Sequence, residues 1–318
     1  MSHAMQELAK ARKSHNRFKM KCLVPNEKGV LCGKNPIRSH SIQHNGILSY
    51  LAENGIVYCL GETTNGEEIF EYDLKDKGIA KEASVFKCIC KEHDESLFAD
   101  IEKRPFCKEP KQCFQYALKA LLYSYWSKCN DIGIADKYRK KVQIAQQIVE
   151  DQKAYGEELN RFWQIYHSGQ YQELLSQIIT INRAINSAVS ASVNICRKLD
   201  GSFFGKENDN YPLLHISIFP TQEKSYLLIS ALKENELYFK AFMQQFMMLS
   251  EEAILKRFNI ILPLLAENIM ISPRVVNKMT EQEKRQLLMI FRVETMSFYY
   301  QKGIDINCWA NEVSYNLW

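Results

Sequence analysis

Two pairs of cysteine and histidine residues set the strongest constraint on how this chain can fold. Cys22 and Cys32 flank a nine-residue loop, and Cys90 and His93 form a Cys-x-x-His pair much further along the chain. A structural zinc site takes four soft or borderline ligands in a tetrahedron, usually as two close pairs from different local elements. Because the surrounding segment is rich in glycine and has little apolar core of its own, it needs such a cross-link to fold. The sequence therefore predicts one structural Zn²⁺ bound by these four residues.

Neighbouring residues leave alternatives to this ligand set. Cys88 is an alternative to Cys90 as a ligand, although it lies on the strand side of Cys90, with one residue between them, and precedes the expected helix. His40 and His44 lie between the two pairs. His40 is a candidate ligand or a polar residue that orders the loop, and His44 is expected to be a surface side chain. The remaining alternative is that the cysteines are ordinary buried thiols, as free cysteines often are.

Length and composition are those of a globular protein. The 318 residues exceed the usual size of one compact core, so two domains are expected. Apolar residues make up 46% and charged residues 25%, and no apolar run reaches the roughly 18 residues that a membrane helix needs. The first residues lack the apolar core of a signal peptide, and ten cysteines without dense, even spacing suit a reducing compartment. We therefore expect a cytoplasmic protein with no membrane contact.

Positive charge is concentrated near the first cysteine, although the net charge is only +4. Residues 10–21 contain basic side chains and no acidic one. Such a basic arm can contact phosphates, each of which adds a salt-dependent increment to the affinity. The alternative is a solvated leader. The residues predicted to contact DNA or RNA are Lys10, Arg12, Lys13 and Arg17 in the arm and Arg38 beyond it.

Residues 1–106 are predicted to form the basic arm and a small domain around the metal. Frequent glycines cut this part into pieces too short for long helices. Strand-like runs at residues 56–60 and 69–73 flank a loop and predict a β-hairpin. A short strand at 83–86 precedes the second ligand pair, and residues 94–102 predict a short helix with acids in its first turn. A ligand pair that opens a helix is typical of a treble-clef zinc fold.

Residues 107–318 are predicted to form a mainly α-helical domain. Apolar residues recur there every three or four positions, and two apolar strands around a Pro-containing turn predict a second hairpin at about residues 212–231. A capping-box pattern at Thr280 and Glu283 begins the last long helix. The expected helices are 112–128, 137–166, 171–199, 236–248, 251–267 and 280–300. The predicted fold class is α+β: a small treble-clef-like zinc domain with a β-hairpin, followed by a mainly α-helical domain containing a second β-hairpin.

His40 lies in the strand-like segment 37–43, between the two ligand pairs. This order of ligand pair, strand histidine and ligand pair opening a helix resembles the HNH-type (ββα-metal) nucleases over about residues 20–102. In those enzymes a strand histidine activates water against a phosphodiester near a bound divalent ion. The resemblance therefore implies that His40 is the general base, with a second divalent ion if the site is catalytic.

The chain departs from the HNH pattern at two places. Ser39 stands just before the base, where an acidic residue or a histidine normally holds the catalytic metal. The closing helix normally supplies a second histidine or asparagine, whereas this chain offers Asp94, Asp100 and Glu102 after the second ligand pair.

The chain also resembles a group of bacterial zinc-binding proteins that carry a treble-clef, degenerate HNH-like N-terminal domain and have no established activity. The shared segments are residues 37–43 and 83–94 and, far downstream, Glu267–Asn268 and Ser272–Pro273. The resemblance spans most of the length. It implies a bacterial protein, for which a role in defence against foreign DNA is an analogy at the level of the fold.

Other patterns have simpler interpretations. Cys107 and Cys113 could bind a second metal, but they lack a partner pair. Glu267–Asn268 and Ser272–Pro273 follow an apolar helix, where Asn commonly caps and Pro commonly stops. The aromatic residues of segment 116–126 could stack bases, yet their helical spacing is more typical of a core. The absence of Walker, dinucleotide-binding, Gly-x-Ser-x-Gly and His-Glu-x-x-His motifs argues against several large enzyme classes.

Two functions of different classes follow from these patterns. The first is a zinc-binding protein that associates with DNA or RNA and performs HNH-like phosphodiester hydrolysis with His40 as base. The second is a non-enzymatic regulatory or protein-interaction protein, in which a purely structural zinc folds the N-terminal domain and the helical surface binds another protein.

Overall fold

The structure, a computed structural model, describes residues 20–64, 70–138, 143–206 and 211–318. Within these ranges the chain is a mixed α/β fold with eleven helices, a seven-stranded sheet and a two-stranded ladder. The strands are β1 (Ser39–His40), β2 (Ile56–Thr64), β3 (Phe70–Gly78), β4 (Val85–Phe86), β5 (Leu174–Ile181), β6 (Ser187–Asn194), β7 (Leu213–Pro220), β8 (Ser225–Leu232) and β9 (Ile269–Ile271). The helices are α1 (Ser49–Leu51), α2 (Lys91–Leu97), α3 (Ala99–Lys103), α4 (Pro110–Tyr138), α5 (Gln143–Ser168), α6 (Glu236–Gln244), α7 (Glu251–Leu265), α8 (Pro273–Val276), α9 (Glu281–Phe291), α10 (Val293–Lys302) and α11 (Ile306–Glu312).

The seven-stranded sheet has the order β3-β2-β9-β6-β7-β8-β5, and its paired neighbours are antiparallel. The three-residue strand β9 joins two groups of strands: Ile271 pairs with Tyr58 of β2 on one side and with Ser187 of β6 on the other. The hairpin β2–β3 is thereby hydrogen-bonded to strands that lie far later in the chain. The domain boundary between residues 106 and 107 stays a prediction, and strands from both sides of it enter this sheet.

Both faces of the sheet are covered, because alternate side chains of a strand point to opposite faces. On β7, Leu213 and Phe219 pack in a core shared with α4, α5 and the N-terminal segments. Leu214, Ile216 and Ile218 pack in the opposite core, which contains residues of α6, α7 and α9 to α11. The sheet is therefore the middle of three layers.

The predicted helix at residues 171–199 is wrong, although helices outnumber strands in residues 107–318 as expected. This segment forms β5 and β6, which belong to the central sheet. Every residue of β6 except the last is buried. A strand buried on both faces has a continuous small and apolar sequence instead of an alternating one, so its periodicity does not distinguish it from a buried helix.

The other expected elements along the chain are largely confirmed. Both hairpins form, as β2–β3 and β7–β8. The capping box is present, since Thr280 Oγ1 accepts from the backbone N–H of Glu283 at 3.2 Å and the Glu283 carboxylate accepts from the backbone N–H of Thr280 at 2.7 Å. The helix that it begins ends earlier than expected, because the backbone at Arg292 is extended (ψ 143°) and separates α9 from α10. Across the described ranges, no helix has the length and apolar character that a membrane span requires.

Candidate metal centre

The loop between Cys22 and Cys32 folds back on itself as a tight knuckle. The backbone N–H of Cys32 donates to the carbonyl oxygen of Val24 at 2.9 Å. Within the loop, Asn26 Oδ1 accepts hydrogen bonds from two backbone N–H groups, both at 3.0 Å. Gly29 adopts φ +77°, a left-handed conformation that costs glycine little. These local bonds bring the two thiols of the first predicted pair to one side of the knuckle.

The second pair lies where α2 begins. Cys90 has an extended backbone (ψ 166°) and its carbonyl oxygen accepts from the backbone N–H of Asp94 at 2.9 Å. Residues three apart at such a helix start lie on one side, so Cys90 and His93 face the same way. The backbone N–H of Leu23 donates to the carbonyl oxygen of Cys88 at 2.9 Å, which joins the knuckle to the segment before α2.

The structure brings the four predicted ligands together. Nδ1 of His93 is 3.2 Å from Sγ of Cys22 and 3.5 Å from Sγ of Cys90, and Sγ of Cys90 is 4.0 Å from Sγ of Cys32. All four ligand atoms lie within 4.8 Å of one another. A tetrahedron with Zn–S bonds of about 2.3 Å and Zn–N bonds of about 2.0 Å has S···N edges of about 3.5 Å and S···S edges of about 3.8 Å. The cluster therefore fits the coordination of a single metal ion, which it can hold.

Burial and crowding shift the pKa values of these ligands. Burial raises the pKa of Cys22 to about 12, and the neighbouring thiol of Cys90 adds to the rise. Burial also acts to raise the pKa of Cys90, but hydrogen bonds from the His93 backbone and from the other two thiols bring it below its usual value. Burial lowers the pKa of His93, so its imidazole is neutral at pH 7, which is the form that binds metal.

We expect metal binding to weaken as the pH falls, because protons compete with the metal for Cys22. Its pKa lies far above neutrality, so the metal must displace the thiol proton, and affinity rises with pH. Isothermal titration calorimetry with Zn²⁺ between about pH 6 and 8, in buffers of different ionisation enthalpy, should give at least one proton released per metal bound. The exposed thiol of Cys107 serves as control, since Cys107→Ser should release as many protons as the native chain. Affinity that does not change with pH would contradict this expectation.

Other predicted residues fall outside the cluster. Cys88 is fully buried, and its Sγ lies 3.9 Å from the carbonyl oxygen of Leu122 in α4, so it is no competitor for Cys90. Cys107 is exposed and Cys113 is buried. In the part of the chain that the structure describes, neither belongs to a group of potential metal ligands. The arm residues Lys10, Arg12, Lys13 and Arg17 lie outside the described residues.

His40 ends strand β1 with one ring nitrogen anchored. Its Nε2 is 2.9 Å from the carbonyl oxygen of Ile79. Because a carbonyl can only accept, Nε2 carries the proton and Nδ1 keeps its lone pair. Burial lowers the pKa of His40, and the charges of His44 and Lys119 lower it further. The hydrogen bond with the Ile79 carbonyl acts in the opposite direction. The imidazole is therefore neutral at pH 7, which is the state that a general base requires.

Two basic residues flank the short ladder β1–β4 to which His40 belongs. Ser39 pairs with Phe86 across the ladder, and both are buried. Side chains alternate between the faces of a strand, so Arg38 and Lys87, the neighbours of that buried pair, share the other face with His40. Arg38 and Lys87 are exposed, and neither forms an ion pair with any residue in the described ranges. This face, which we call the ladder face, consists of Arg38, His40 and Lys87.

Two carboxylates interact electrostatically with His40, those of Glu102 and Asp94. Glu102 contacts the ammonium of Lys119, whose side chain is only 3% exposed. Asp100 forms two ion pairs near the surface. Asp94 is half-buried, and burial raises its pKa although the charges of Lys119 and His40 act to lower it. Of the three acids expected on the closing helix, Asp94 is the one outside these ion pairs, and the charge of His40 acts on its pKa.

Three residues around the segment that carries His40 have no signal in the sequence that links them to it: Ile79, Lys87 and Asn268. Ile79 contributes a backbone carbonyl, to which no side-chain pattern points. Lys87 could have been found from the ladder register, had β1 and β4 been paired in advance. Asn268, interpreted as a helix cap, lies beyond the end of α7 and is buried beside the segment that follows His40. Ser272 does cap a helix, since its hydroxyl accepts from the backbone N–H of Arg274 at the start of α8.

Comparison with known proteins adds no relative: no family model, no curated protein and no solved structure matches this chain.

Proposed function

We propose that Cys22, Cys32, Cys90 and His93 bind a structural Zn²⁺, and that the unit it stabilises is a treble-clef-like, HNH-like module that binds nucleic acid and hydrolyses phosphodiesters. Three thiolates and one imidazole at tetrahedral spacing are a common structural zinc set, while Mg²⁺ and Ca²⁺ prefer oxygen ligands. A complete set of protein ligands leaves no open position, so this zinc would hold the fold and take no part in the reaction.

One observation carries the proposed activity: an anchored, half-buried neutral imidazole lies in a short ladder that two exposed cations flank. His40 Nε2 is fixed by the carbonyl oxygen of Ile79, and the exposed residues Arg38 and Lys87 flank the buried pair Ser39–Phe86 of the same ladder. Phosphate oxygens are the natural partners of exposed Arg and Lys side chains without ion pairs. A bound phosphodiester would thus be held next to a base able to accept a proton.

In the proposed reaction, Nδ1 of His40 takes a proton from a water molecule as the water oxygen forms a bond to phosphorus. The bond from phosphorus to the leaving sugar oxygen breaks, and that oxygen takes a proton from solvent. Arg38 and Lys87 hold the non-bridging oxygens throughout. Asp94 offers a carboxylate for a second divalent ion, which when bound would supply positive charge to the leaving oxygen.

The test is cleavage and binding with four proteins: the native chain, His40→Ala, the double variant Arg38→Ala/Lys87→Ala, and His167→Ala as an exposed-histidine control. Substrates are supercoiled plasmid, single-stranded DNA and RNA, with Mg²⁺ or Mn²⁺. We expect His40→Ala to slow cleavage by about 10²-fold or more with unchanged binding and zinc content. The double variant should bind more weakly at low salt and show a shallower dependence of affinity on salt.

The possible outcomes separate the parts of the proposal. Salt-dependent binding that needs Arg38 and Lys87, without cleavage by the native chain, would reject catalysis and keep the nucleic-acid interface. Native chain that fails to bind any nucleic acid at low salt would reject both. If His40→Ala still cleaves at the native rate, the cleavage activity belongs to another residue or to a contaminant.

The exposed apolar residues at the tip of the knuckle favour a second candidate function, binding of another protein. Val30 and Leu31 are 62% and 54% exposed, which is high for large apolar side chains. Leu31 also lines a groove of about 360 Å³ together with Leu23, Tyr125 and Trp163. If the native chain neither binds nor cleaves nucleic acid, this apolar knuckle is the surface on which a partner protein should be sought.

A further inference from the structure

Asn268 links the segment that carries His40 to the central sheet. Its side chain is 1% exposed, and its Nδ2 lies 2.7 Å from Ser41 Oγ and 3.1 Å from Ser84 Oγ. The same nitrogen donates to the carbonyl oxygen of Ser190 in β6 at 2.9 Å. That carbonyl can only accept, so it fixes which end of the amide faces the two hydroxyls. Asn268 thus holds two points of the N-terminal segment against one strand of the sheet.

Those two points lie on either side of the His40 anchor. Ser41 directly follows His40, and Ser84 ends the loop that begins at Ile79, whose carbonyl holds Nε2. The hydroxyls of Ser41 and Ser84 are 2.7 Å apart, and the backbone N–H of Ser41 donates to the carbonyl oxygen of Ser84 at 2.9 Å. The distance between His40 and the carbonyl of Ile79 therefore depends on how firmly Ser41 and Ser84 are held together.

Ser84 also carries a backbone conformation that needs support. Its φ is +56°, in the left-handed region that a residue other than glycine seldom adopts. Its hydroxyl additionally accepts from the backbone N–H of Ile42 at 3.0 Å, so the strained residue is fixed from several sides. Within this network, Asn268 lies far along the chain from Ser41 and Ser84. Its side-chain amide links the hydroxyls of both serines to β6.

We propose that Asn268 is a positioning residue for His40: by clamping Ser41 and Ser84 to β6, it keeps the imidazole in the Nε2–H tautomer with Nδ1 available as the base. This inference rests on the proposed function for its catalytic meaning. Its structural content, the state of the His40 ring, can be measured without any substrate. Among the described residues, Asn268 forms no hydrogen bond to the ladder face or to the four clustered Cys and His residues, and it acts on His40 through Ser41 and Ser84.

The experiment compares Asn268→Ala and Asn268→Asp with Asn259→Ala. Asn259 is a matched control, because it is also a buried asparagine (3% exposed) that holds a backbone N–H, that of Leu317, but it lies in α7 in the other helical layer. In ¹⁵N-histidine spectra, the native His40 should show one tautomer, protonated at Nε2. Both Asn268 variants should show mixed tautomers and at least about tenfold faster hydrogen exchange at the Ser41 amide, whereas Asn259→Ala should show neither.

The Asp variant keeps the shape of the side chain and removes its N–H donors. If the Ala variant does not fold, the Asp variant therefore tests whether Asn268 positions His40. Unchanged His40 tautomer and unchanged Ser41 exchange in a folded Asp variant would overturn the inference. If the native chain cleaves nucleic acid, the Asn268 variants should lower kcat with KM retained. If it cleaves nothing, the proposed function fails while the spectra still decide the role of Asn268.

Discussion

Cys90→Ser is expected to abolish metal binding and unfold the segment around the knuckle, while Cys88→Ser, two residues away, keeps the metal. Both thiols are buried, at 3% and 0% exposure, so burial alone does not separate them. The thiol of Cys90 belongs to the four-ligand cluster, whereas that of Cys88 faces the carbonyl oxygen of Leu122. Binding of a structural zinc contributes about 10–16 kcal/mol in small zinc domains, and this energy is folding energy.

The measurement is metal per chain by elemental analysis, with thermal unfolding recorded beside it. The native chain and Cys88→Ser should each hold about one zinc per chain, and Cys90→Ser close to none. Cys88→Ser should lose about 1–2 kcal/mol, because a hydroxyl replaces a packed thiol next to a carbonyl that it can bond. Equal metal content in the two variants would remove Cys90 from the ligand set, and a folded native chain without metal would leave the cysteines as core thiols.

The Cys22, Cys32, Cys90 and His93 cluster, which could hold a metal ion, could be predicted from the sequence because residue type and local spacing determine it. Cys90 and His93 are three residues apart at a helix start, and Cys22 and Cys32 flank one closed loop. Each pair needs only local structure to converge. The convergence of the two pairs is inferred from the four ligands that zinc requires. In the structure, the backbone hydrogen bond between Leu23 and Cys88 brings the pairs together.

Strands β5 and β6 could not be predicted in the same way. The hydrophobic pattern of a strand depends on which of its faces other elements bury, and the local sequence does not contain that information. The sequence of β6 contains Ser, Ala and Val at nearly every position and is buried on both faces. On one face Ser192 lies under helices α4 and α5, and on the other Val189 and Val193 face the second core. Small residues on the helix side allow α4 to approach closely. Apolar content without alternation favours helix and strand equally, and only the tertiary fold decides.

Partners that come from distant parts of the chain were the least predictable feature of the candidate site. Asn268 lies 227 residues after Ser41, and its role depends on β9 having joined β2 to β6. The Ile79 carbonyl that orients His40 belongs to the backbone and has no sequence signature. Residue types therefore indicate the candidate base and the possible metal cluster, while the groups that orient His40 follow from pairings that no local pattern encodes.

A buried polar trio on the central sheet should carry the largest stability effect outside the metal centre. Nε2 of His215 in β7 is 3.1 Å from the carboxylate of Glu158 in α5, and its Nδ1 is 2.8 Å from the hydroxyl of Ser192 in β6. The His215 side chain has no exposed surface, and that of Glu158 is 12% exposed. These are the residue types of a hydrolytic triad, but Ser192 is 4% exposed beneath the helices, where a substrate has no access. The trio instead fastens α5 to two strands of the sheet.

His215→Ala should therefore destabilise the protein by about 3–5 kcal/mol, because it leaves the Glu158 carboxylate buried without its partner and opens a cavity beside Phe162. Ser192→Ala removes one neutral hydrogen bond and should cost about 1 kcal/mol. Urea unfolding followed by fluorescence gives both values, and His167→Ala, at the exposed end of α5, should stay within about 0.5 kcal/mol of the native chain. A loss below about 1 kcal/mol for His215→Ala would mean that water or a rearranged Glu158 replaces the ring, and that α5 is held by its apolar contacts alone.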